Sequence, residues 1–141
     1  MIFDRTQNDV DTAIILRREK VQKFQALTES EIATLERGTL TINTLNRIET
    51  KQQELKNLFN DMGYWSTPIT NKTWGENDIF NVDEFQRILD NTNVLRQAFF
   101  VYKATPNTPP ISYYWDDINS LEKILHDIDV MINDVKSHYR E

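Results

Sequence analysis

The chain has 141 residues, a size typical of one domain, and a formal net charge of −6. Hydrophobic residues make up 39% and charged residues 27%, a balance that excludes a disordered chain, and the lack of cysteine excludes disulfides and thiolate sites. The acidity disfavours binding to nucleic acid or anionic lipid, because both carry negative charge. With three glycines and four prolines the chain is poor in turn residues, so we expect helices rather than a β-sandwich.

The sequence carries no signal for export or for membrane insertion. The opening stretch MIFDRTQNDV has neither the basic nor the apolar region of a signal peptide, and no stretch approaches the ~20 apolar residues of a membrane span. We therefore expect a soluble product made in the cytoplasm, with no membrane and no nucleic acid as partner. No linker, repeat or low-complexity run interrupts residues 1–141, which predicts a single helical domain.

Apolar residues recur at steps of three and four in four segments, the spacing that places them on one face of a helix. Thr28 with Glu31 resembles a capping box at a helix start. Gly38 and Gly63 stand where a left-handed residue would end a helix. The prediction is an all-α bundle of four main helices plus one short helix. The predicted helices are 7–26, 29–37, 42–62, 82–102 and 116–138, and the two long loops are 64–81 and 103–115.

Residues 116–135 of the last predicted helix carry six carboxylates and one histidine, which raises the question of a metal or acid–base centre. At about 100° per residue, Glu122 and Asp129 lie on the flank of the apolar stripe, whereas a catalytic or metal site in a bundle must project inward. We therefore expect a solvated face, no catalytic residue, no metal, no cofactor and no enzymatic activity. The alternative is a small hydrolase or metal enzyme using Glu122, His126 and Asp129. The side chains predicted to point away from the stripe are Asp116, His126, Asp127 and Asp134.

Both long loops contain or border aromatic residues. Exposed aromatic side chains can bind a partner protein or stack on sugar rings, since they offer contact area at a low entropic cost. They can equally clamp a long loop onto the ends of the bundle. Three interpretations therefore stand: loop packing, a partner-binding surface, and a carbohydrate-binding accessory domain. The candidate partner-binding residues are Trp65, Trp74, Tyr113, Tyr114 and Trp115.

Two polar residues, Gln52 and Thr92, interrupt the apolar stripes of their predicted helices. Buried polar residues at such positions can fix the register of packing at some cost in stability. We expect both to lie instead at the edge of the stripe, where water reaches them.

Three stretches of the chain resemble a known family when they are taken in order. They are DRTQNDVD at 4–11, Gly38 followed by LNRIE at 45–49, and NSLEKIL at 119–125. Their order and spacing resemble a small helical domain of phage and prophage proteins from Gram-positive bacteria, commonly tail, baseplate or minor structural proteins. The resemblance covers nearly the whole chain, with Leu40 and Thr44 at positions where that family has Tyr and Asp.

This resemblance implies a non-enzymatic structural or protein-interaction module of a virion, with other phage structural proteins as partners and with self-association into a homo-oligomer. It brings no catalytic residues with it. Because the motif positions are polar where a bundle needs apolar residues, we expect a polar network that ties the helix starts together. Its predicted members are Asp4, Arg5, Asn46, Arg47, Glu49, Asn119 and Glu122.

Overall fold

A computed structural model of the chain describes residues 1–23, 25–64, 67–98, 104–109 and 115–138, which form five helices and no strand. The all-α fold expected from the apolar spacing is confirmed. Each helix begins within one residue of its predicted start. The helices are α1 (Gln7–Lys23), α2 (Glu29–Gly38), α3 (Ile42–Asp61), α4 (Val82–Ala98) and α5 (Trp115–His138).

Local capping explains where α2 begins and where α3 ends. The Thr28 hydroxyl accepts the N–H of Glu31 at 3.3 Å, and the Glu31 carboxylate accepts the N–H of Thr28 at 3.0 Å, as in a capping box. At the end of α3, Gly63 has a φ of 78°, and the N–H of Tyr64 donates to the carbonyl of Phe59 at 2.8 Å. This is a Schellman motif, so the left-handed cap predicted at Gly63 is confirmed.

α1 and α2 pack against each other as a helical hairpin. Gly38 allows this close approach, because a Cβ at that position would collide with the Asp9 carbonyl oxygen and the Ala13 Cβ. The left-handed cap predicted at Gly38 is wrong: α2 is capped by Thr39, whose backbone is extended, with a φ of −137°. Ala13 is the single buried residue of α1, all of whose residues are described.

α3, α4 and α5 pack against one another and enclose the hydrophobic core. Each large apolar side chain that is fully buried there stabilises the fold by about 1.5–3 kcal/mol relative to its exposed state. Trp74, from the loop between α3 and α4, completes this core. The helical core residues include Leu45, Ile48, Leu55, Phe59, Phe85, Ile88, Leu95, Leu121, Ile124, Leu125, Ile128 and Ile132.

Residues 1–6 precede α1 and lie against α5. The N–H of Arg5 donates to Asn119 Oδ1 at 3.1 Å, and Asn119 Nδ2 donates to the Arg5 carbonyl at 3.0 Å. The Phe3 ring packs on the His126 ring with 4.9 Å between centroids, and Lys123 Nζ lies 5.0 Å from the centre of the Phe3 ring. This segment covers a flank of α5 that would otherwise face water.

Candidate functional site

Glu122 lies at the centre of a buried charged cluster where residues 1–6, α2, α3 and α5 meet. Its side chain has no exposed surface. One carboxylate oxygen is 2.7 Å from Arg5 Nη1, and the other accepts a hydrogen bond from Arg47 Nε, also at 2.7 Å. Arg47 in turn donates from Nη1 to the Glu36 carboxylate. We call these residues, with Asn119 beside Arg5, the Glu122 cluster.

The Glu122 cluster is neutral as a whole, because two arginines face two glutamates. Burial lowers the pKa of Arg47, but its hydrogen bonds to Glu122 and Glu36 outweigh that effect and hold the pKa above its ordinary value. Asn119 fixes Arg5 through main-chain and side-chain hydrogen bonds. The cluster therefore joins four segments of the chain at one point.

A second buried carboxylate, Glu49 on α3, binds the loop between α3 and α4. Its side chain is 1% exposed. Arg87 donates to both of its oxygens, at 3.0 Å for the Nη2–Oε2 pair, and the indole N–H of Trp74 donates to Oε2. The N–H of Lys72 donates to Oε1 at 3.0 Å. We call these four residues, with Asn46, the Glu49 cluster.

Burial raises the pKa of Glu49, but the hydrogen bonds from Arg87, Trp74 and the Lys72 N–H outweigh that effect and hold the pKa below its ordinary value. The hydrogen bond to Glu49 raises the pKa of Arg87 above its ordinary value, against the opposing effect of burial. Glu49 is therefore an ionised structural residue that is fully occupied by donors. It is not a free acid or base.

Asn46 anchors the same loop through its amide. Asn46 Nδ2 donates to the Trp74 carbonyl at 3.1 Å, and the Trp74 N–H donates to Asn46 Oδ1. On α4, Arg87 and Asn91 both donate to the Thr70 carbonyl, at 2.9 and 2.8 Å. Asn46 and Glu49 thus bind a long loop rather than another helix start, whereas Arg47 joins α3 to Glu122 on α5 and Glu36 on α2.

Asp4, the remaining predicted member of the network, lies apart from both clusters. Its carboxylate is 3.1 Å from Arg37 Nη2, and Arg37 also pairs with Asp9 at 3.2 Å. The Asp4 side chain is 75% exposed, so this pairing is a surface contact that stabilises the fold little.

Gln52 and Thr92 are fully buried, so their predicted place at a wet edge is wrong. Gln52 Nε2 donates to Thr92 Oγ1 at 2.9 Å and to the Ile88 carbonyl at 3.0 Å, and Asn71 Nδ2 donates to Gln52 Oε1 at 2.9 Å. The pair fixes the register of α3 against α4, because a shift of either helix would leave buried polar groups without partners.

The solvated face predicted for α5 is correct for Asp116 and Asp134 and wrong for Glu122 and Asp127. Asp127 is 3% exposed; it accepts a hydrogen bond from Thr105 Oγ1 at 2.5 Å and pairs with Lys123 Nζ at 2.8 Å. A helical-wheel prediction assumes that one stripe of the helix is buried. It is wrong for α5, because residues 1–6 and 104–109 cover further sides of the helix.

Of the aromatic candidates, Trp74 is a core residue with 4% exposure, so it cannot serve as a surface anchor for a partner. Its side chain packs on Phe80 with 5.6 Å between ring centroids, which fits the loop-packing alternative. Trp115, at the start of α5, is partly exposed and donates its indole N–H to Gln7 Oε1 at 3.1 Å. Trp65, Tyr113 and Tyr114 lie outside the described residues.

Sequence reasoning missed Glu36 and Arg87, which complete the two clusters. Arg87 directly precedes the core residue Ile88, and a helical wheel assigns such a position to the edge of the apolar stripe. No spacing rule says which opposite charge an edge residue will meet from another helix. The sequence feature that comes closest to predicting Arg87 is an arginine next to a core position, because the planar guanidinium group suits buried carboxylates.

The α1–α2 hairpin exposes apolar side chains, in contrast to the inward-facing charges. Five of the seven large apolar side chains that are exposed in the described part of the chain lie here. Between this hairpin and the start of α3 runs a groove of about 510 Å³, lined among others by Val21, Leu35, Leu40 and Ile42. We call the five exposed residues the hairpin surface: Ile14, Ile15, Val21, Leu27 and Ile32.

No family model matches the chain, and comparison with curated proteins and with solved structures likewise finds no match. Within the described ranges, no three or more acidic or histidine side chains are grouped so that they could hold a metal ion. A membrane-crossing helix would have to be longer and more apolar than any helix found in those ranges. The contacts of both clusters are structural: Glu122 pairs with two arginines, and Glu49 accepts hydrogen bonds from an arginine, an indole and a main-chain N–H, so that each carboxylate ties distant segments together.

Proposed function

We propose that this chain is a non-enzymatic structural or protein-interaction module of a phage tail, baseplate or prophage particle. It is made in the bacterial cytoplasm and acts as a component of the virion, with other phage structural proteins as its partners. The order of the three motif stretches supports this proposal. So does the use of their polar residues, since Arg5, Arg47 and Glu122 bind one another across the bundle.

The observation that carries the proposal is where the charged and the apolar side chains lie. Glu49 and Glu122 are buried and already bound by arginines, so they serve the rigidity of the fold. Large apolar side chains lie on the outside of the hairpin, the arrangement typical of surfaces that bind other proteins. A rigid bundle that presents an apolar surface is suited to assembly.

Particle incorporation tests this proposal. Prophages in the source strain would be induced, and the released particles purified on a density gradient and analysed by mass spectrometry. We expect the chain to co-sediment with tail proteins, and its coding region to lie beside tail or baseplate reading frames. Absence from purified particles, together with metabolic or regulatory neighbours, would contradict the proposal.

A matched pair of variants separates surface binding from folding. Ile32→Asp places a charge on the hairpin surface, and Ile79→Asp places the same charge at an exposed apolar residue outside it. We expect both variants to fold, and only Ile32→Asp to lower incorporation into particles. Equal incorporation of the two variants would show that the hairpin surface does not bind the partner.

A further inference from the structure

α1 is a helix with one side occupied and another side open. Its main described neighbour is α2, which it contacts through Asp9 and Ala13 near Gly38, and its first residue, Gln7, accepts a hydrogen bond from Trp115 at the start of α5. Ala13 is its one buried residue out of 17. Ile14 and Ile15 are 46% and 58% exposed, although isoleucine is among the residues that are most often buried. A helix with this much exposed apolar area is expected to have a partner.

The open side of α1 is complementary to itself. Asp11 precedes Ile14 by three residues and Arg18 follows Ile15 by three, and all four side chains are exposed. At about 100° per residue, Asp11 and Arg18 project in nearly the same direction, with one isoleucine on either side of that line. A two-fold rotation about an axis midway between Ile14 and Ile15 therefore exchanges the positions of the acid and the base.

We propose that α1 is a self-association surface, on which two copies of this chain pair antiparallel about a two-fold axis between Ile14 and Ile15. The four isoleucines form the apolar centre, and each Asp11 faces Arg18 of the other copy. This is an isologous contact, the commonest kind in homodimers. Parallel pairing is disfavoured, because it would place Asp11 against Asp11 and Arg18 against Arg18.

The same symmetry continues beyond the charged pairs. Gln7 lies four residues before Asp11 and Gln22 four residues after Arg18, so the rotation places the amide of one opposite the amide of the other. A helix of 17 residues is roughly 25 Å long, so this contact is smaller than a standard interface. We therefore expect a concentration-dependent dimer that weakens as salt screens its ion pairs.

This inference stands on the surface of α1 and does not require the particle role proposed above. The test is sedimentation velocity of the purified chain over a wide concentration range, with Asp11→Arg and Arg18→Asp as single variants. We expect the wild type to dimerise and each variant to raise the dissociation constant by about tenfold or more, because like charges then face each other.

The decisive sample is an equimolar mixture of the two variants. Asp11→Arg has arginine at both positions and Arg18→Asp has aspartate at both, so a 1:1 antiparallel pair restores both attractions. We expect the mixture to dimerise at concentrations at which neither variant does so alone. The double variant Asp11→Arg with Arg18→Asp should dimerise as the wild type does.

Asp90→Arg on α4 is the matched control. Asp90 accepts a hydrogen bond from Gln86 four residues earlier, as Asp11 does from Gln7, and both aspartates are exposed. The control should dimerise like the wild type, and circular dichroism should show every variant folded. A wild type that stays monomeric at all concentrations, or folded variants that do not associate when mixed, would overturn the proposal.

Discussion

At the scale of single residues, the buried carboxylate of Glu122 depends on its two arginine partners. Removing a carboxylate from water costs several kcal/mol, and here two arginines offset that cost. Replacing such a cluster by apolar residues is often neutral, but removing one partner leaves uncompensated buried charge. The cluster therefore selects one arrangement of four segments more than it adds stability.

Glu122→Gln should lower the free energy of unfolding by about 3–5 kcal/mol, because Arg5 and Arg47 then share a buried site without their common counter-charge. Urea unfolding followed by circular dichroism measures the change. Glu19→Gln removes the same charge from an exposed position on α1 and should change stability by less than about 0.5 kcal/mol. Similar losses for the two variants would mean that the Glu122 cluster contributes nothing specific.

At the scale of helices, local chemistry sets the ends and tertiary packing sets the faces. The start of α2 follows from the Thr28 capping box, which the sequence displays directly, and at the start of α3 the Thr41 hydroxyl accepts the N–H of Thr44 at 3.2 Å. The role of Gly38 could not be predicted in this way, because it depends on how closely α1 approaches. The wheel for α5 failed for the same reason: Glu122 meets arginines from segments far away in the sequence.

Gly38→Ala tests the contact between α1 and α2. The added methyl group would overlap the Asp9 carbonyl and the Ala13 side chain, so the hairpin must open, at a cost of about 1–3 kcal/mol. Hydrogen exchange should show faster exchange of the α1 amides, with a smaller effect in α3 and α5. Gly75→Ala is the control, since its Cβ would meet only Asp78 Oδ2 at 3.6 Å. Unchanged exchange in α1 would contradict this account.

At the scale of the whole molecule, carboxyl groups that accept hydrogen bonds make stability depend on pH in the acid range. The pKa values of Asp9, Glu31, Glu49 and Asp78 are all held below their ordinary values. A carboxyl whose pKa is lower in the folded state stabilises the fold fully above its ordinary pKa. That contribution is lost as the pH falls through the folded pKa. The free energy of unfolding should therefore decrease from about pH 5 downward.

Glu49→Gln should make the free energy of unfolding fall less steeply below about pH 5 (the acid limb), because the side chain that binds Arg87 and Trp74 can no longer take up a proton. Asp78→Asn should flatten it less, since the Asp78 side chain is 35% exposed and solvent screens its partners. Urea unfolding at a series of pH values from 7 to about 3 measures both slopes. An acid limb in Glu49→Gln as steep as in the wild type would exclude Glu49 as a source of the pH dependence.

The whole fold class followed from apolar spacing, because helical periodicity is a local property of the chain. The buried clusters followed only in part. Motif order pointed to Arg5, Arg47, Asn119 and Glu122 as one group, but their contacts depend on how residues 1–6 lie on α5. The exposed apolar side of α1 could not be foreseen either, because apolar spacing places residues on one face of a helix without saying whether another element covers that face.

The pairing of Arg5 with Asn119 also determines when the protein can fold during its synthesis. These two residues are 114 positions apart, and at typical translation rates that interval lasts on the order of 10 s. Until α5 leaves the ribosome, Arg5 and Arg47 have no Glu122 to neutralise them, and α3 and α4 lack the third wall of their core. We therefore expect the core of α3, α4 and α5 to close only after α5 has been synthesised, whereas the α1–α2 hairpin needs no contact from α5.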